Sequence, residues 1–409
     1  MNIPARKIMQ RIDVLLHISE DSDRLTRTFA SPAMSRANDL VGGWMREAGM
    51  ETHVDTIGNL IGVYAGEQPD GKILVLGSHL DTVRNAGRFD GPLGVILAIA
   101  CVEQLHERKT RLPFAIQVVG FADEEGVRYQ TAYLGSRALT GTFNLKDLNR
   151  RDVNGISMRD AIRAFGGNPT KLNTAALDPQ RVIGYLETHI EQGPILEQKN
   201  LSVGVVTAIA GQTRARVSFV GCAGHAGTTP MNMRRDALCG AAEFVVAVET
   251  FAKSIPGLVA TVGEINAMPG ASNVIPAESR VSIDVRHAED SIRHSACVEL
   301  KAKAEEIGSR RNLQVQVETG HEAPAVACSE KLSALLSEAV KQRQNKLIQL
   351  PSGAGHDAAI MAEITPSAML FVRCKEGISH DPRESADLQD VRVALDVVND
   401  FIQMLAQQA

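Results

Sequence analysis

Residues 72–95 read KILVLGSHLDTVRNAGRFDGPLGV, and residues 114–126 read FAIQVVGFADEEG. Each stretch opens with a short apolar run, 72–77 and 114–121, of the length and composition of a strand buried on both faces. Between the two runs, residues 91–107 are apolar for most of their length and read as a helix. A strand, helix, strand order within one sheet makes the strands parallel. Each run passes at once into chemically capable residues, Ser-His-Leu-Asp after the first and Ala-Asp-Glu-Glu-Gly after the second. Open α/β sheets bind their ligands at the carboxyl ends of strands, so these two junctions are where chemistry is expected.

Working outward, the same alternation of helix and buried strand extends from Pro4 to about Val206. The character changes near Gly211. Residues 214–220 (RARVSFV) alternate with period two, 233–252 read as a helix, and 258–266 and 279–287 read as strands. Asp290 is expected to cap a helix to about Arg310, and 313–318 (LQVQVE) alternate again. The order βαββαβ describes a ferredoxin-like module of about 110 residues. A helix follows at 329–344, and the run 368–372 (AMLFV) ends in Arg-Cys-Lys-Glu-Gly-Ile-Ser-His. The expected fold is therefore α/β: a discontinuous domain at 1–210 and 328–409, with an α+β ferredoxin-like domain inserted at 211–327.

Composition supports this and excludes other classes. A length of 409 residues suggests more than one domain, and 44% hydrophobic with 22% charged residues provides material for a large core. The net charge is -5, with no basic block, so nucleic acid is not an expected partner. The longest nearly unbroken apolar stretch, 95–102, is far short of the roughly 20 residues that cross a bilayer. The first residues, MNIPARKIMQRIDVLLHISEDSD, lack the apolar run and cleavage site of a signal peptide, which points to a cytoplasmic address. The 6 cysteines are scattered without a C-x-x-C pair and read as reduced and mostly buried.

His79, Asp81, Asp90, Glu124, Glu125, His189 and His380 fall just after expected strands or in glycine-rich turns, where loops bring distant residues together. Imidazole and carboxylate without thiolate suit zinc, manganese or a similar divalent ion, and a shared carboxylate allows a dinuclear site. His79-Leu80-Asp81 places a ligand histidine beside a carboxylate able to orient it. Of the adjacent Glu124 and Glu125, one can ligate while the other serves as general base. Taken singly, His-x-Asp and Glu-Glu are more often a satisfied or solvated pair. Their recurrence after successive apolar strands is what favours a hydrolytic metal site over that reading.

The runs GSHLDTVRNAGRFDGPLGV (77–95), FADEEGVRY (121–129), ETHIEQGPILE (187–197), AGHAGTTPM (223–231), SGAGHDA (352–358) and GISHDP (377–382) occur in one order across most of the chain. Together they resemble the dinuclear-metal amidohydrolases of the allantoate amidohydrolase and N-carbamoyl-L-amino-acid hydrolase family, within the wider aminoacylase and carboxypeptidase superfamily. The resemblance implies two divalent metal ions per subunit, zinc or manganese, with cobalt or nickel also compatible. It implies that Asp90 bridges them, that His79 and His189 complete one ion's ligands, and that Glu125 and His380 complete the other's. Glu124 would be the general base and Asp81 the orienting carboxylate. Histidine at position 189, where the peptidase branch has a carboxylate, points to the ureido branch. Substrate contacts would come from Gln192, His225, Asn273, Arg286, Gly355 and His356, with His225 also assisting catalysis. Arg286 has a further argument, because the strand VSIDVR alternates and a guanidinium suits bidentate capture of a carboxylate. Asp381-Pro382 stands where family members often have Asn-Pro.

The activity implied is hydrolysis of a ureido C–N bond next to a carboxylate in a small ureido acid, with release of ammonia and carbon dioxide. Allantoate, an intermediate of purine catabolism, is preferred because EEGVRYQTAYLGS and LFVRCKEGISH look more like the allantoate branch. The alternatives are an N-carbamoyl-L-amino-acid hydrolase or ureidopropionase-like enzyme, a dipeptidase or aminoacylase, and a binding protein that has lost catalysis. The inserted domain would act as a lid and form a homodimer, with His225 reaching the partner's active site.

Overall fold

The computed structural model describes residues 3–68 and 71–408. The chain divides into two compact units. The first comprises the residues up to Thr207, Cys328–Leu350 and Ala354 onward; the second comprises Ala208–Ala327 with Pro351–Gly353.

In the first unit the strands follow the spatial order Glu51–Val54, Leu60–Tyr64, Ala115–Phe121, Ile73–His79, Val182–Ile190, Ser367–Val372. The last four run parallel, Ile73 pairing with Ala115 on one side and Leu76 with Leu186 on the other. Leu60–Tyr64 runs antiparallel to Ala115–Phe121 at one side. At the other, residues 203–205 run antiparallel to 370–372. The helix Pro92–Glu107 follows Ile73–His79 and buries every residue from Pro92 to Val102, and Leu105, while Glu103 and Gln104 are half-buried and His106 and Glu107 exposed. A helix segment apolar all round belongs in a core, which is why residues 92–102 show no polar face. Its start depends on Gly91, which has φ +83 and where a Cβ would lie 2.5 Å from the His79 ring. Helices Ile3–Leu16, Glu330–Arg343 and Leu388–Ala406 pack with it into one large apolar core. Among the described residues no helix is long and apolar enough to cross a membrane.

The second unit is an antiparallel sheet in the order Ile265–Met268, Glu278–His287, Gly211–Val220, Gln314–Ala323. Helices Ala237–Lys253 and Asp290–Arg311 cover one face, burying Val217, Phe219, Phe244, Val281, Ile283, Val285 and Leu300. The opposite face carries Arg214, Arg216, Arg280, Asp284, Arg286 and Glu318 around a groove of about 1310 Å³.

Several expectations are corrected. The stretch expected as one strand at 258–266 is two, Val259–Thr261 and Ile265–Met268, both paired to Glu278–His287. From Thr261↔Asp284 to Ile265↔Val281, four steps on one strand match three on the other, a bulge that interrupts pairing. The helix expected from Met233 starts at Ala237 instead, because Asp236 caps it by accepting from the Leu238 and Cys239 amides. Asp290 is not a cap but the first helical residue after Glu289; its Oδ1 accepts from Ala325 N at 3.0 Å and pairs with Arg293. Of the cysteines, all free, only Cys101 and Cys374 are buried, whereas Cys222 and Cys239 are exposed.

Candidate metal centre

Parallel strands of the first unit deliver their carboxyl ends to one place. Ile73–His79 ends on His79, Ala115–Phe121 runs on to Glu124 and Glu125, and Val182–Ile190 carries His189. Ser367–Val372 leads into the loop bearing His380, and Asp90 enters just ahead of the buried helix. Their ligand atoms fall into three overlapping sets, each within 4.8 Å: His79, Asp90 and His189; His79, Glu124 and Glu125; Asp90, Glu125 and His380.

The two oxygens of Asp90 face different partners. Oδ1 lies 3.3 Å from Nε2 of both His79 and His189, and Oδ2 lies 3.4 Å from His380 Nε2. His380 Nε2 is also 3.4 Å from Glu125 Oε1. The histidine tautomers follow from the other ring nitrogen: His79 Nδ1 donates to the Asp81 carbonyl at 3.0 Å and His189 Nδ1 to the Ile190 carbonyl at 2.9 Å. Both Nε2 atoms then face each other at 3.5 Å beside Asp90 Oδ1, whose negative charge raises the affinity of both rings for a proton against their burial. Once deprotonated, one carboxylate oxygen and two imidazole nitrogens this close to one another suit a divalent cation, and so do Asp90 Oδ2, His380 and Glu125.

Electrostatics follow from this crowding. Burial opposes a charge on Asp90, yet His189, with His380 and His79, holds its carboxyl well below the usual range. Burial, then the Glu125 charge, pushes Glu124 well above its ordinary value, and burial with Asp90 lifts Glu125 to about 7. The hydrogen bond to Asp90 raises His380 to about 9 against its burial.

Asp81 is buried behind His79 with Oδ1 3.4 Å from Nδ1, but the imidazole's closer partner is the Asp81 carbonyl. The carboxylate accepts from the amides of Glu124 at 2.9 Å and Glu125 at 3.2 Å, so it fixes both glutamates. Gln192, with φ +56, donates from Nε2 to Asp90 Oδ2 at 2.7 Å. His356 is buried, held neutral by that burial and by His189, against whose ring it packs edge-on with centroids 4.6 Å apart. Gly355 is contacted by Tyr133, whose hydroxyl occupies the space a Cβ would need. Asp381 turns to Arg383 through contacts of 2.9 and 3.0 Å.

In the second unit His225 and Asn273 are neighbours: Val274 pairs with His225, and the Asn273 carbonyl accepts from Ala226 N at 3.0 Å. Exposed His225 accepts from Gly227 N on Nδ1 at 3.1 Å, which puts its proton on Nε2. Arg286 lies separately, on the polar face of the larger sheet.

Sequence reasoning missed Tyr133, Ser379 and Glu384. Ser379 Oγ donates to Asp90 Oδ2, and Glu384, lifted to about 7 by burial and then by Asp90, accepts from the Asp90 amide at 3.1 Å. Their one signal was a place in the polar loop after residues 368–372. For Tyr133 it was the stretch EEGVRYQTAYLGS, used only for likeness.

The sequence profile of peptidase family M20/M25/M40 matches residues 75–404. An allantoate deiminase of Arabidopsis thaliana is 40% identical over 96% of this chain and 81% of its own length. An N-carbamoyl-L-amino acid amidohydrolase of Geobacillus stearothermophilus is 38% identical over 99% of both chains. A crystal structure of an amidase of the hydantoinase/carbamoylase family from Burkholderia multivorans superposes with a TM-score of 0.92 at 30% identity, covering 98% of each chain. The chain belongs to peptidase family M20/M25/M40, whose hydrolases use divalent metals, and within it is an amidohydrolase acting on C–N bonds other than peptide bonds.

Proposed function

We propose that this chain is an allantoate amidohydrolase with two divalent cations per subunit, zinc or manganese, held by His79, Asp90 and His189 on one side and Asp90, Glu125 and His380 on the other. The observation that carries the reading is the division of Asp90: Oδ1 faces two histidines at 3.3 Å while Oδ2 faces His380 at 3.4 Å. When bound, such cations polarise a carbonyl and lower the pKa of a water. Glu124 accepts a proton from the attacking water and returns it to the departing nitrogen, in a pocket where burial keeps its carboxyl basic. Asp81, through the Glu124 amide, fixes where that carboxylate sits. The net change is R–NH–CO–NH2 plus water to R–NH2, carbon dioxide and ammonia.

Gln192, Gly355 and His356 are assigned to the substrate's surroundings, and Arg286 to its carboxylate, with Asn273 and His225 as further contacts. The second unit serves as lid and as the surface of a homodimer, and His225 donates from Nε2 to the carbonyl oxygen in the partner subunit's site. A cytoplasmic address goes with this reading.

Allantoate is favoured by the two stretches nearest the metal ligands, 124–136 and 370–380, which look more like that branch. Ammonia release from allantoate and from a panel of N-carbamoyl-L-amino acids, each with metal restored to metal-free protein, tests the choice. A strong preference for the panel would overturn allantoate, and peptide cleavage with inert ureido substrates would overturn the reaction class.

A further inference from the structure

We propose that Glu384 is a positioning residue that sets the orientation of Asp90 between its two histidine sets, by tying the loop that carries Asp90 to the loop that carries His380. The inference rests on the metal-centre reading above.

Glu384 is only 1% exposed, and among the described residues no cation lies within 4.0 Å of it. A carboxylate so placed is costly unless hydrogen bonds satisfy it, and here every bond leads to the Asp90 loop or its neighbour. Oε1 accepts from the amides of Phe89 at 2.6 Å and Asp90 at 3.1 Å. The one hydroxyl hydrogen of Ser379 lies between the two carboxylates, donated to Asp90 Oδ2 with Glu384 Oε2, 3.3 Å from Oγ, as a second and weaker acceptor. Gly87 packs directly on this side chain, where a Cβ would collide with it.

The loop bearing His380 needs such a tie, because it holds three left-handed residues, Glu376 at φ +57, Gly377 at φ +66 and His380 at φ +57. Non-glycine residues persist there only where the surroundings over-determine them. Glu384 fixes Asp90 twice, through its backbone amide and, by way of Ser379, through Oδ2, the oxygen nearest His380. Loss of the clamp therefore falls on the Asp90, Glu125 and His380 side, while His79 and His189 keep their own backbone anchors.

The test titrates cobalt(II) into metal-free wild type, Glu384→Ala, Glu384→Gln and Ser379→Ala, reading calorimetry and the visible cobalt spectrum, with circular dichroism and thermal unfolding as controls for the fold. Glu384→Ala is expected to weaken the second ion by about 10- to 100-fold and alter its spectrum, leaving the first near wild type. Glu384→Gln keeps the oxygen that accepts from both the Phe89 and Asp90 amides, so it restores two-ion binding. Ser379→Ala, which removes only the hydroxyl, is expected to shift the second ion in the same direction. Unchanged affinity and spectrum in a folded Glu384→Ala, or in Ser379→Ala if the former does not fold, would overturn the proposal while the metal centre stands. Failure of wild type to bind two ions would remove the metal-centre reading and this inference with it.

Discussion

Asp284 grips Arg286 side-on: Nε meets Oδ1 and Nη2 meets Oδ2, both at 2.9 Å. Arg214 and Gln212 also donate to Asp284 Oδ2, at 3.1 and 2.6 Å, and Arg286 Nη1 donates to the Gly353 carbonyl at 2.6 Å. The guanidinium is thus aimed before any substrate arrives. If Arg286 holds the substrate carboxylate, Asp284→Asn should raise KM about tenfold while kcat changes little, the signature of a lost charge-assisted hydrogen bond. Steady-state kinetics on allantoate would show this, and an unchanged KM would mean the carboxylate is held elsewhere.

Asp90 belongs to two of the three sets of candidate ligand atoms, whereas His380 belongs to one. Asp90→Ala should lose both ions together, and His380→Ala should mainly weaken one, as read by metal analysis after dialysis. Two ions per chain retained by Asp90→Ala would rule out bridging.

Glu124→Gln keeps the shape of the base and removes its proton acceptance. Metal and substrate binding should survive while turnover falls by about two orders of magnitude or more. Near-normal turnover in that variant would place the base elsewhere.

Metal loading should depend on pH with a definite sign. The hydrogen bond to Asp90 lifts His380 to about 9, and burial, then the Asp90 charge, lifts Glu125 to about 7, so each would have to shed a proton to hold a cation. Below these values protons compete with the cation, so affinity should climb as pH rises from about 6 to about 9. Calorimetry in buffers of different ionisation enthalpy should record proton release on binding; affinity independent of pH would contradict it.

Catalysis across a dimer is testable by complementation. Inactive His225→Ala chains mixed with inactive Glu124→Gln chains should regain about one working site per heterodimer, since both defects then fall in the same site. No recovery, with heterodimer formation verified, would confine His225 to its own chain.

Much of this protein could be read from local pattern. The runs 72–77, 114–121 and 368–372 are apolar because a parallel strand is buried on both faces, and that burial makes them visible without a structure. The polar residues that follow them sit at strand ends for the same reason, so His79, Glu124, Glu125 and His380 were legible. What sequence could not supply was competition between partners. The 258–266 stretch has the composition of one strand, yet its pairing slips by a residue against Glu278–His287 and breaks it in two. Asp290 has the chemistry of a cap, but Ala325 and Arg293 hold its carboxylate and Glu289 takes the position. Asp81 was readable as the partner of His79, whereas its grip on the Glu124 and Glu125 amides required the fold. Glu384 lies 294 positions along the chain from Asp90, and no periodicity spans such a distance. Burial and backbone periodicity are local and leave their mark in sequence; the choice of hydrogen-bond partner among distant loops is settled only when tertiary packing brings them within reach.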